Sequence, residues 1–140
     1  MQVVRFINKM INTPDLIRIA RERLGDAEAL MSAHRYDAAA YICGYSVEIA
    51  LKYKLCQTLD WSGFPWTSKE LENYESLQAS DLDLLLILTG SEARIKAHYF
   101  TEWLAFSEWT PEAMYSISGK IKPADAINMI NAAKTLIDVL

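Results

Sequence analysis

The chain has 140 residues, of which 51% are hydrophobic and 23% charged, with a formal net charge of −4 at pH 7. That length suits one ordinary domain that buries about two thirds of its unfolded surface without a disulfide or a metal, and the apolar content excludes a disordered polymer. The acidic balance works against general binding of nucleic acid, and no apolar run approaches the ~20 residues of a membrane span.

The N-terminus, "MQVVRFINKMIN", is interrupted by Arg5, Asn8 and Lys9 and lacks a small-residue cleavage pattern. It does not read as a secretory signal, so the expected location is the cytoplasm. Val3 to Ile11 reads as a short helix or an arm packed on the body. "NTPDLIRIARERLGDAEALMSAH" reads as the first main helix. Thr13 is the expected N-cap, Pro14 suits the first turn and Asp15 favours the positive end of the dipole. Leu16, Ala20, Leu24, Ala27 and Met31 form its apolar stripe. Gly25 weakens the helix by about 1 kcal/mol against Ala, which points to close packing or a bend there.

Arg35 to Thr58 is the second helix. Apolar residues surround most of it, so it belongs in the middle of a bundle or at an oligomer seam. Ala38, Ala39, Ala40 and Gly44 leave room for a neighbouring helix to approach closely. The loop "DWSGFPWTSKE" follows, and its Trp61, Phe64 and Trp66 either fold back over the core or wall a ligand site. Residues 68–90 read as two short helices. Ser68 caps the first, Ser80 or Asp81 caps the second, and Gly90 ends it. "SEARIKAHYFTEWLAFS" is the next helix, with Ser91 as N-cap. Its stripe is Ala93, Ala97, Phe100 and Leu104, widened by Tyr99, Trp103 and Phe106. "KPADAINMINAAKTLIDVL" is the last helix, with Ala126, Ile130, Ala133, Ile137 and Leu140 on one face. Strand alternation and hairpin turns are nearly absent.

The two cysteines, Cys43 and Cys56, would lie about 20 Å apart on one helix. That exceeds disulfide reach, so both read as small buried hydrophobes in a reducing compartment. Two Cys and two His without metal-ligand spacing give no zinc site. No Walker, Rossmann or nucleophile-elbow pattern occurs, and "SGK" at 118–120 lacks the upstream glycine and strand of a phosphate loop. No metal and no cofactor are therefore expected.

Glu48 and Lys52 stand four apart in the second helix, with the acid on the N-terminal side. The plain reading is a helical pair worth a few tenths of a kcal/mol. The sharper one follows from the face they share with Tyr41, Tyr45 and Leu55. If that face is buried, the two charges must neutralise each other, and they would shape a polar pocket or fix a dimer seam. His34 reads as a helix-junction residue.

"RYDAAAYICGYSVEIALKYKL", Arg35 to Leu55, resembles the second helix of the HEPN family, with its Arg-Tyr entry, small residues and a Val-Glu-x-Ala-Leu-Lys run at Val47 to Lys52. "LQASDLDLLL" is similar to the family's lead into its middle helices. "EWTPEAMYS" is similar to its tryptophan-led loop, where Met114 stands in place of a common arginine beside Tyr115. The resemblance implies an all-α, up-and-down bundle of four main helices with one or two short ones, filling one domain over 1–140. It also implies a homodimer. Family members partner minimal nucleotidyltransferases in toxin–antitoxin pairs, bind nucleotides, or act as metal-independent ribonucleases. The ribonuclease pattern has its nearest match at Arg94 and His98, with a spacer one residue short. In that chemistry His would move protons and Arg would stabilise the phosphorane. The departures favour a non-enzymatic interaction module, a partner of a minimal nucleotidyltransferase. A ribonuclease toxin, and a nucleotide or small-ligand module, are the alternatives. The partner- or ligand-binding candidates are Arg35, Tyr41, Tyr45, Glu48, Lys52, Trp61, Trp66, Trp109 and Tyr115.

Overall fold

The computed structural model describes residues 11–64, 81–115 and 119–140. The expectations for Val3 to Met10, for Trp66, and for a helix capped by Ser68 fall outside the described residues. Among those described, the elements are strand β1 (Ile11–Asn12), α1 (Thr13–Ser32), α2 (Tyr36–Thr58), β2 (Gly63–Phe64), α3 (Leu82–Thr89), α4 (Glu92–His98), α5 (Phe100–Leu104), a 3-10 turn (Pro111–Tyr115) and α6 (Pro123–Val139). The fold is all-α. Its one ladder is two residues long, antiparallel, pairing Ile11 with Phe64 and Asn12 with Gly63.

α2 is the central rod. It packs against α1, α3 and α6, and the 3-10 turn touches it as well. Ala39, Cys43, Val47, Ala50, Leu51 and Cys56 are fully buried along it, as its all-round apolar pattern predicts. The main core joins α1, α2, α3, α6 and the Ile95, Trp103 and Phe106 side chains. A smaller cluster of Leu16, Leu55, Cys56 and Phe64 seals the end where β1 meets β2. Both cysteines are free and buried, and burial pushes the Cys43 thiol up to about 12.

Several local signals behave as expected. The Asp81 carboxylate accepts from the N–H groups of Asp83 and Leu84 at 3.0 and 3.2 Å, capping α3. Gly90 ends it in the left-handed region at φ 76°. His34 sits in the α1–α2 junction, also left-handed at φ 60°. Its Nδ1 lies 2.8 Å from the Tyr36 hydroxyl.

Others differ. Thr13 is the first residue of α1 and not its cap; Asn12 holds the cap position without a side-chain bond. The Thr13 hydroxyl instead donates to the Trp61 carbonyl at 2.7 Å, tying the chain that leaves α2 back to α1. Ser91 does hold the N-cap position of α4, but its side chain makes no capping bond; its N–H donates to the Thr89 hydroxyl at 3.2 Å. Gly25 is exposed, with nothing near the position of a β-carbon, so it answers to no close packing. The third main helix is split into α4 and α5 at Tyr99, whose φ and ψ are −133° and 31°. Its buried face is Ile95, Trp103 and Phe106 with Tyr99 packed against them, while Ala93, Ala97, Phe100 and Leu104 are exposed. Two stripes of helical spacing compete here, and the one with a branched and three aromatic side chains buries more apolar area than one with two alanines. Trp103 settles the register by donating its Nε1–H to Asp83 at 2.8 Å.

Candidate functional site

The N-terminal half of α2, the Trp109 loop and α6 enclose a cleft of about 480 Å³. Tyr41, Trp109, Leu104, Ile121 and Met129 supply apolar walls, and Asp37, Glu108, Lys120, Asp125 and Asn128 supply polar groups.

Trp109 is placed by a gap in α2. Gly44 has no side chain, and a β-carbon there would overlap the indole at Nε1, Cε2 and Cδ1. The indole therefore lies directly on the helix backbone and donates its N–H to the Tyr41 carbonyl at 3.1 Å. Tyr45 meets the indole edge-on with centroids 5.2 Å apart, and Tyr41 meets Tyr45 edge-on at 5.0 Å, both favoured aromatic geometries. The Tyr41 hydroxyl lies 3.1 Å from the Tyr45 hydroxyl and 3.3 Å from Met114 Sδ. One hydroxyl has one proton, so both contacts are satisfied together when Tyr45 donates to Tyr41 and Tyr41 donates to the sulfur. The bond to Tyr41, then burial, raises the Tyr45 phenol above its ordinary range.

Asp37, in the first turn of α2, closes one end of the cleft. Its carboxylate accepts three backbone N–H groups, from Gly119 at 2.7 Å and from Lys120 and Ile121 at 3.2 Å each. The bond from Gly119 is the largest influence and, with those from Ile121 and Lys120, outweighs an opposing desolvation to hold the carboxyl below its ordinary value of 3.8. Gly119 has φ 98°, a left-handed conformation that aims consecutive amides at one anion. A smaller hollow on the other side of Asp37 is lined by His34, Arg35 and Tyr36.

Glu48 and Lys52 lie further along α2, in the interior. Their side chains are 5% and 11% exposed, and Lys52 Nζ is 3.6 Å from Glu48 Oε2. That is ionic contact beyond hydrogen-bond length. Lys52 also stands over the Phe64 ring at 5.1 Å, a cation–π geometry. Among the described residues, Glu48 Oε1 is buried with no hydrogen-bond partner. The pair thus lies in the interior, where each charge has the other as its counter-ion.

The remaining sequence candidates scatter. Tyr41, Tyr45 and Trp109 come together. Tyr115 follows Met114 on the same turn and is 84% exposed. Arg35 is exposed at the start of α2. Trp61 is half-buried against the smaller core cluster, not in the cleft. Arg94 and His98 are both exposed on the seven-residue α4, and neither lines the cleft. Sequence reasoning missed Asp37, Glu108, Asp125 and Asn128. Asp37 shows only as an acid in a first helical turn, because its partners lie 82 to 84 residues away.

No curated protein and no solved structure matches the chain. The family model for the HEPN domain matches residues 13–140, from the first residue of α1 to the last of the chain. With a central α2 of the expected pattern and an all-helical frame around it, the chain belongs to the HEPN domain family.

Proposed function

We propose that this HEPN domain is a non-enzymatic interaction module that dimerises and pairs with a nucleotidyltransferase-type protein. The observation that carries the reading is the apolar surface around the cleft. Phe100, Leu104, Met114, Tyr115 and Ile127 are each about half exposed or more. Leu104 lines the cleft, Phe100 lies one turn before it, and Met114 touches Tyr41 on the wall. Several large apolar side chains left in water around one feature mark a surface built for contact. The placement of Arg94 and His98 supports the non-enzymatic part. Both stand exposed on α4, away from the cleft, and among the described residues no third side chain is hydrogen-bonded to either, whereas phosphoryl chemistry needs both groups positioned at one phosphate.

Light scattering on the purified chain, followed by co-purification with any nucleotidyltransferase encoded beside it, tests this. A dimer, and a complex weakened by Phe100→Asp with Leu104→Asp, are expected. A strict monomer that captures no such partner overturns the reading. Cleavage of RNA by the purified chain, abolished by His98→Ala, would replace it with the ribonuclease reading.

A further inference from the structure

We propose that the cleft beside Trp109 binds a small organic cation, an amine or guanidine carried on a flat apolar body. This does not rest on the pairing proposed above. The volume, about 480 Å³, is within the range of small-molecule sites. One wall is aromatic, built from Tyr41 and Trp109, and such faces attract cations.

The charge of the lining decides the class of ligand. Among the described residues, three carboxylates, those of Asp37, Glu108 and Asp125, line the cleft with one ammonium, that of Lys120. Asp37 is already held by the amides of Gly119, Lys120 and Ile121. The side chains of Glu108, Asp125 and Asn128 line the cleft with no hydrogen bond or ion pair among the described residues. Two free carboxylates and a free amide therefore remain to receive donors from a ligand. A phosphorylated ligand would meet the opposite situation. The three N–H groups best placed to cradle an anion are spent on Asp37, and the free charges nearby would repel it. A cation whose body lies on Trp109 and whose head reaches Glu108 or Asp125 uses both halves of the site.

The test is titration of the full ¹⁵N-labelled chain with phenethylamine and, separately, with hydrocinnamate, which has a matching ring and the opposite charge. Phenethylamine is expected to shift the Trp109 indole N–H and the Asn128 amides in a saturable way. Glu108→Gln combined with Asp125→Asn, both at exposed positions, is expected to weaken it by about tenfold or more with an unchanged spectrum elsewhere. Hydrocinnamate is expected to leave these signals in place. Equal binding of hydrocinnamate, an unchanged affinity in the double variant, or no shift at the cleft up to about 10 mM phenethylamine would each overturn the proposal.

Discussion

Two carboxylates on α2, Asp37 and Glu48, lie three turns apart and are treated in opposite ways. Asp37 sits at the half-exposed start of the helix and accepts three backbone N–H groups. Glu48 lies in the interior, with one ammonium at 3.6 Å and one oxygen that has no hydrogen-bond partner among the described residues. The better-solvated charge is the better-bonded one. Asp37 therefore acts as a latch, joining α2 to the loop that leads into α6. Glu48 is a cost that the fold carries, offset in part by Lys52. Burial alone does not rank a charged group's importance; the count and quality of its partners does.

The sharpest way to break this comparison is to remove Lys52. Lys52→Ala leaves the Glu48 charge buried without its cation, and a loss of about 3–5 kcal/mol is expected, read by urea denaturation. Lys52→Met combined with Glu48→Leu removes both charges at similar volume and is expected to be near neutral or stabilising. A double variant as unstable as Lys52→Ala would mean that the pair supplies more than mutual neutralisation. Gly44→Ala comes next. It drives a methyl group into the indole of Trp109, with an expected cost of about 1–3 kcal/mol and a displaced Trp109 N–H resonance. Removing the indole as well, by Trp109→Ala, should make the pair of changes cost less than their sum, since they share one contact.

How much of this was legible follows the range of each interaction. α2 could be read almost to its ends, because it is a long, mostly apolar run without proline whose signals are local. The Asp81 cap and the Gly90 stop were legible for the same reason: their partners are within three residues. The stripe on α4 and α5 was misplaced because periodicity offers two faces, and the larger apolar area of one of them, with the tertiary bond from Trp103 to Asp83, chooses between them. Gly44 was correctly read as a point of close approach, but the visitor is an indole 65 positions later in the chain, not a helix. The latch at Asp37 was invisible, since three amides of a distant loop leave no side-chain signature.

The smallest expected effect isolates that latch. Asp37→Asn keeps the shape of the side chain but replaces the ionised acceptor with a neutral amide. Charge-assisted bonds are about twice as strong as neutral ones, and at this half-exposed position a loss of about 1–2 kcal/mol is expected. The pH dependence tells a lost charge from a lost shape. The native carboxyl titrates below the ordinary value of 3.8, so the folded state binds its proton less readily than the unfolded chain. The stabilisation from Asp37 is then complete above that ordinary value and disappears as the pH falls through the lower native one. The gap in Tm between the native chain and Asp37→Asn should stay constant from about pH 5 to pH 8 and close below about pH 4. A gap that persists at low pH would assign the loss to packing, and the contrast with Glu48 would then be one of geometry and not of charge.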